Sequence, residues 1–307
     1  MKLEIYPIMA NGGTHKVAGA EEIVDDAQRK GANTISVIST GNYLTAIAQE
    51  IRRKGLERKL SLVNLTNHPL NLKGVNHREV IIEGNRILRN ETERAKYVEE
   101  KLPNTSYVRD YTDFQPKHLE NIALCMVSLH HLDQRKQLPP AGDIESVTPH
   151  RDYICLGVGT GKLFLALARK IEEYRLSTKL IGIIPKRENG IFNDENLIWE
   201  HDLLYYKEFA SKSAAKALAC PYTAFKPQLL KTKDKGHMFF EARNDEFFIA
   251  WKLAAERGCK GEQSESAGFV LHDKKVRKSL GLQENALATL VYMGFASDDK
   301  WMHVLEN

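Results

Sequence analysis

Short apolar runs alternate with stretches whose apolar positions recur every three or four residues, and this alternation organises most of the chain. The first run, Leu3 to Met9, reads as a strand or extended arm. The polar turn Asn11-Gly12-Gly13-Thr14 follows it, and Ala18 to Lys30, rich in Ala, Glu, Asp, Gln and Lys, has the composition of a helix. Thr34-Ile35-Ser36-Val37-Ile38 is β-rich, while Tyr43 to Lys54 carries Leu44, Ile47, Ala48 and Ile51 at helical spacing. Leu60 to Leu65 and Glu79 to Glu83 read as further strands. Glu91 to Lys101, ended by Pro103, and Leu119 to Leu132 read as helices. Gln137-Leu138-Pro139-Pro140-Ala141-Gly142-Asp143 is the clearest linker.

Beyond the linker the same order returns. Asp152 to Leu156 is a buried-type strand running into Gly157-Val158-Gly159-Thr160-Gly161-Lys162, and Leu163 to Tyr174 is a helix with an apolar stripe. Leu180 to Ile184, closed by Pro185, is the next strand, Asp245 to Arg257 a helix and Leu290 to Met293 a last strand. Residues 190–235 are charged and aromatic and carry no clear period. Strand, helix, strand on both sides of the linker predicts an α/β protein with mostly parallel sheets and helices on both faces. No solenoid repeat or low-complexity tract interrupts it.

Composition narrows the class. The chain has 307 residues, 42% hydrophobic and 27% charged, enough for one or two domains with large cores. No apolar run reaches the roughly 18–20 residues of a membrane span, and no basic-then-apolar leader opens the chain. The four cysteines, Cys125, Cys155, Cys220 and Cys259, lack metal-ligand spacing. Reduced thiols and a cytoplasmic location are therefore expected. The 44 basic residues against 40 acidic ones leave a charge of +4, too balanced for a nucleic-acid binder. Arg52-Arg53-Lys54 and Lys274-Lys275-Val276-Arg277-Lys278 read as solvated helix faces.

Two stretches carry candidate chemistry. With Thr14 as N-cap, Lys16 falls in a first helical turn, where exposed N–H groups disfavour a cation and favour the neutral, nucleophilic amine. The glycine loop at Gly157 admits several readings. It is not a nucleotide P-loop, because Leu156 stands where the first Gly belongs and Leu163 removes the hydroxyl that binds Mg²⁺. It matches the first motif of S-adenosylmethionine-dependent methyltransferases, but the next strand ends Ile184-Pro185-Lys186 without the acid that holds a ribose. It also suits a loop whose N–H groups and Thr160 cradle one phosphate at a helix start, or a tight turn without a ligand. The His130-His131 pair has no partner at helical spacing, so no metal site is expected, and Cys155 reads as strand packing.

Taken in order, these pieces resemble the fold type II pyridoxal-phosphate enzymes, the superfamily of the tryptophan synthase β-subunit and threonine synthase. Thr14-His15-Lys16 is similar to the family's Ser-His-Lys segment, whose lysine forms the Schiff base with pyridoxal 5′-phosphate. Ser39-Thr40-Gly41-Asn42 is similar to the Ser-Ser/Thr-Gly-Asn loop, whose Asn bonds the cofactor's 3′-oxygen and whose hydroxyls meet the substrate carboxylate. Gly157-Val158-Gly159-Thr160-Gly161 resembles the phosphate loop. Glu262-Gln263-Ser264-Glu265-Ser266-Ala267 resembles a Glu-Pro-Ser-Ser-Ala segment, and Ala217-Leu218-Ala219-Cys220-Pro221 the threonine-synthase-like branch. The resemblance implies two open αβα domains with the cofactor between them. Residues 34–133 would form the smaller, mobile domain and 1–33 with 134–307 the larger. It also implies a homodimer and an amino-acid substrate. His15 would stand beside the cofactor.

Several positions depart from the family pattern. The family usually has a longer arm before its lysine; Tyr43-Leu44 replaces Thr-Gly after Asn42; Lys162 replaces a glycine and brings positive charge to the loop. Tyr292-Met293-Gly294 stands where Leu-Thr/Ser-Gly is usual, and Met293 cannot donate a hydrogen bond to the ring nitrogen, which leaves Tyr292 or a residue elsewhere to do so. The expected activity is elimination or replacement at the β- or γ-carbon of an amino acid, threonine-synthase-like, with Lys16 as general base. Beside it stand a non-catalytic paralogue serving as a binding or regulatory subunit, and the methyltransferase.

Overall fold

The structure is a computed structural model. It describes residues 2–7, 15–37, 42–66, 77–81, 96–97, 99–102, 107–109, 119–124, 126–127, 153–186, 213–215, 218, 225–284, 286–292 and 295–296. The chain forms two compact units, Met1–Met9 with Leu119–Asn307, and Ala10–His118.

The larger unit is built on a five-stranded sheet. Its strands are β1 (Lys2–Pro7), β6 (Tyr153–Gly157), β7 (Lys179–Pro185), β8 (Met238–Ala242) and β10 (Leu287–Tyr292), in the order β1-β10-β6-β7-β8. Every neighbouring pair runs parallel. The interior strands are apolar on both faces, as parallel strands covered by helices must be; all six residues of β10 are buried. Along β6 the side chains alternate between two cores. Ile154 and Leu156 join Phe164 and Leu167 of helix α3 (Lys162–Glu173) and Leu229 of α4 (Lys226–Asp234). Tyr153 and Cys155 join Phe247, Ala250 and Ala254 of α5 (Asn244–Glu256) and Phe269 of a 3-10 helix, Ala267–His272. Helical residues 119–124 and 126–127 contribute Leu119, Ala123, Met126 and Val127 to the first core. A short antiparallel pair, β9 (Cys259–Lys260) with β11 (Phe295–Ala296), and helix α6 (Lys274–Ser279) complete this unit.

From β6 the chain proceeds outward through β7 to β8, and then returns to the other side of β6 for β10. The reversal makes the gap between the C-terminal ends of β6 and β10 a topological switch point, where open α/β sheets bind ligands.

The smaller unit has its own parallel sheet, β2 (Thr34–Val37), β3 (Ser61–Thr66), β4 (Arg78–Ile81) and β5 (Tyr107–Arg109), in the order β4-β3-β2-β5. Helices α1 (His15–Arg29) and α2 (Asn42–Arg53) pack together through Ala20, Ile23, Val24, Ala27, Leu44, Ile47 and Ile51 against Ile35 and Val37. Polar ties reinforce the pair. The Tyr43 hydroxyl donates to the Gly19 carbonyl at 3.2 Å, and Lys54 pairs with Asp25. Glu50, only 6% exposed, accepts from Arg53 Nε at 2.7 Å and Nη2 at 2.6 Å, and Lys54 Nζ lies 3.4 Å away.

The mostly parallel α/β architecture expected from the apolar runs is the one observed. The linker 137–143 and His130-His131 lie outside the described residues. Within the unassigned stretch 190–235, α4 begins at Lys226 with a proline in its first turn.

The Arg53 hydrogen bond, with Lys54, holds the Glu50 carboxyl below its ordinary value of 4.5. Its stabilisation is therefore full above about pH 4.5 and disappears as pH falls through the lower folded value. Glu50→Gln should lower the thermal midpoint by about 3 °C at pH 7, and the gap from the wild type should close below pH 4.5. Calorimetry at several pH values checks both.

Candidate active site

The site is built where β6 ends. Gly157 is the strand's last residue, and Leu290 of β10 pairs with Cys155 two residues earlier, so Gly157 and Tyr292 close neighbouring strands at the same end. Val158 N–H donates to the Ile183 carbonyl at 2.9 Å, tying the start of the glycine loop to β7. The loop then turns into α3 through Gly161, which has φ +85° and whose Cβ position is filled by the Leu229 side chain. Only glycine meets both conditions. No side chain caps α3, and its first turn contains no acid. Its first intrahelical bond is Leu165 N–H to Gly161 O at 2.9 Å. The preceding N–H groups of the helix start, with the positive end of its dipole, form an anion-binding edge. Lys162, the first residue of the helix, places its Nζ 5.9 Å from the centre of the Phe225 ring.

A second segment closes over the strand ends. Residues 261–266 turn from β9 into the 3-10 helix. A Cβ on Gly157 would stand 3.2 Å from the Ser264 carbonyl, 3.0 Å from Ala267 Cβ and 2.9 Å from Leu218 Cδ1, so this segment rests directly on the start of the loop. The turn is pinned by Trp251 Nε1 donating to Gly261 O at 2.8 Å and by Glu262 N–H donating to Glu265 Oε2 at 2.9 Å. Two hydroxyls under it, Ser264 Oγ and Tyr292 Oη, are buried and find no hydrogen-bond partner among the described residues. Unpaired buried hydroxyls are rare in folded proteins. Neither Ser264 nor Glu265 stood out among the sequence candidates; the order Glu262 to Ala267 drew attention, but burial is what singles out these side chains.

Titration states follow from burial. Desolvation, then Glu265 and Cys259, push the Tyr292 phenol above its ordinary value, so it stays protonated. Burial raises the Cys155 thiol well above its ordinary value and the Cys259 thiol to about 12; both are packing residues without thiolate chemistry. His237 is lowered to about 4, mainly by burial, and its Nδ1 accepts from Leu180 N–H at 3.0 Å. It serves the sheet edge as a neutral acceptor. Among the described residues no three His, Cys, Asp or Glu side chains are grouped to hold a metal ion, and no helix is long and apolar enough to cross a membrane.

The other sequence candidates belong to the smaller unit, apart from Met293. His15 and Lys16 are the first two residues of α1 and Asn42 is the first of α2, so each opens a helix. Ser39, Thr40, Gly41 and Met293 lie outside the described residues, as does Thr14. Gly157, Val158, Gly159, Thr160, Gly161 and Tyr292 lie together at the ends of β6 and β10.

No family model and no curated protein matches the chain. Among solved structures it is similar to an O-ureido-L-serine synthase (TM-score 0.62, 15% identity, 98% of this chain and 92% of the other). It is also similar to a pyridoxal 5′-phosphate-dependent aspartate racemase (TM-score 0.61, 15% identity, 96% and 84%). A threonine deaminase from T.th. gives a TM-score of 0.58 at 14% identity over 94% of this chain and 85% of that one. The chain therefore has the fold type II architecture shared by these enzymes.

Gly161→Ala should cost roughly 1–3 kcal/mol more than Gly55→Ala. Gly55 has a similar φ of +64° but open space at its Cβ position, so the difference isolates the collision with Leu229. Urea unfolding of the two variants measures it.

Proposed function

We propose that the protein is a pyridoxal 5′-phosphate-dependent enzyme catalysing elimination or replacement at the β- or γ-carbon of an amino acid. The observation that carries the reading is the cradle at the switch point: a glycine loop and an uncapped helix start without acids. Those features fit a dianionic phosphate. The neighbours' activities on amino acids, threonine deaminase and O-ureido-L-serine synthase among them, point to the same substrate class.

In this reading the N–H groups of Gly157 to Gly161 and the Thr160 hydroxyl would hold the phosphate. When bound, the cofactor supplies an electrophilic carbon for an amine and a ring that takes up the electron pair released at the substrate's Cα. Lys16 would hold the cofactor through its amine and would serve as the base for the proton on that Cα. Its position in the first turn of α1 favours the neutral amine that both tasks need. His15 stands beside it. Asn42 orients the ring through its 3′-oxygen, while the hydroxyls of Ser39 and Thr40 and the Gly41 backbone hold the substrate carboxylate. A homodimer in the cytoplasm belongs to the same reading.

Lys16→Ala tests it. The wild-type protein should carry a pyridoxyl group on Lys16 after borohydride reduction, seen by peptide mapping, and the variant none. Turnover of the substrate amino acid should fall by roughly 10²–10⁴-fold, the range for loss of a general base. A wild type that takes up the cofactor yet releases no pyruvate, 2-oxobutyrate or phosphate from any candidate amino acid would instead be the non-catalytic paralogue. Turnover that survives the substitution would remove Lys16 from the mechanism.

A further inference from the structure

The smaller unit carries a hollow of about 490 Å³ where β2, β3 and β4 begin. Because these strands run parallel, their three starts lie along one edge of the sheet. Ser39 to Asn42 follow the other end of β2 in sequence, so the hollow lies a whole strand away from that end.

The wall of the hollow is fixed by the fold. The turn before β3 is closed by the N–H groups of Lys59 and Leu60, which donate to the Leu56 carbonyl at 2.8 and 2.9 Å. Leu56 and Leu60 are buried, which anchors the turn and leaves Arg58 and Lys59 on its exposed side. Register brings Arg78 to the same place. Arg78 pairs with Val63, and Ser61, two residues earlier, pairs with Thr34, so Arg78, Ser61 and Thr34 share one face of the sheet. The Thr34 and Ser61 hydroxyls lie 2.8 Å apart, and Thr34 donates to Asn33 Oδ1 at 3.0 Å. The Asn33 amide N–H groups are thereby left for another acceptor.

Charge is what the hollow leaves unbalanced. Elsewhere in this unit Arg29 and Lys30 pair with Asp26, Arg53 with Glu50 and Lys54 with Asp25. Arg58, Lys59 and Arg78 have no such partner among the described residues. Glu57 is the one acid among the residues lining the hollow, and the neighbouring Glu79 lies 3.3 Å from His77 Nε2. Three cations around one hollow repel one another, and a bound anion removes that cost. Two guanidinium forks match the paired oxygens of phosphates and carboxylates, and the volume is that of an ordinary small-molecule site. We propose that this hollow is a ligand site separate from the cofactor cradle, and that it takes a small multivalent oxyanion, a phosphate ester or a polycarboxylate, between Arg58, Lys59 and Arg78.

Calorimetric titration with pyrophosphate and, separately, with citrate tests this in a buffer free of other multivalent anions. The wild type should bind at least one of the two, and which one binds distinguishes a phosphate ester from a polycarboxylate. Arg58→Gln and Arg78→Gln should each weaken that binding about tenfold, the worth of one charge-assisted contact at an open site, and the double variant should lose one equivalent. The bound anion should raise the melting temperature of the wild type more than that of the double variant. Both arginines are exposed, so the ligand-free double variant should melt no lower than the wild type. Lys274→Gln, the same change of charge on α6, should leave the binding unchanged. Absence of binding to either anion in the wild type, a double variant that loses no equivalent, or an equal loss in Lys274→Gln would overturn the proposal. The glycine loop is intact in all these variants, so an anion held there survives the double substitution, and uptake of pyridoxal phosphate tests the cofactor reading separately.

Discussion

The absence of a side chain at residue 268 is the constraint on which the larger unit's site depends. A Cβ there would stand 2.9 Å from the Cys155 carbonyl oxygen and 3.0 Å from that of Val291, both backbone atoms of central strands. The 3-10 helix Ala267–His272 therefore lies directly on the sheet, nearer than side chains ordinarily allow. That approach brings the turn 261–266 down onto the ends of β6 and β10. Gly157 and Gly261 continue the same contact on either side, each with its Cβ position occupied by the turn or by what it covers. Glycines 157, 261 and 268 thus serve one close approach, which seals Ser264 and Tyr292 from water while leaving their hydroxyls without a partner among the described residues.

Polarity at this end of the sheet is unevenly distributed. The ionisable groups packed beneath it are held neutral: the Tyr292 phenol and the Cys155 and Cys259 thiols by burial above all. His272, stacked on Phe269, is lowered to about 4 chiefly by burial, with Arg257 and Arg277 contributing. Against that neutral floor the start of α3 presents its backbone N–H groups with no competing side chain. An anion arriving there meets donors that are already oriented and no carboxylate in the helix's first turn, and such preorganisation lets a few N–H groups hold a phosphate. The smaller unit is reinforced differently. Glu50, Arg53, Lys54 and Asp25 tie α2 to α1 by charge at the surface edge of an apolar interface, a network with a structural role.

How much of this was legible in the sequence follows from how local each cause is. Strands β6, β7 and β10 announced themselves because central parallel strands are apolar on both faces, and α3 and α5 because their buried residues recur at helical spacing. The glycine loop was legible as well, since its turn is dictated by adjacent residues. Helix α4 escaped because only Leu229 and Thr232 of its nine residues are buried, too few to set a period. Strand β8 lies at the sheet edge, where its first four residues are only half-buried, and its Met-Phe-Phe-Glu run has no alternation to detect. The unpaired hydroxyls could not be read at all. Ser264 is one serine among several in a polar stretch until Gly157 is brought against its carbonyl, and that contact joins residues more than a hundred positions apart.

The same distinction separates what the fold fixes from what the chemistry requires. At 14–15% identity this chain and its structural neighbours share an overall fold. Those enzymes nonetheless include a deaminase, a racemase and a synthase, so one architecture serves more than one reaction. Choice must come from groups that bias where electrons go at the ring and what reaches the substrate's carbon atoms. In this chain the departures from the family pattern fall at Tyr292-Met293, Lys162 and Tyr43-Leu44, so it is at these positions, rather than in the shared fold, that its own chemistry has to be sought.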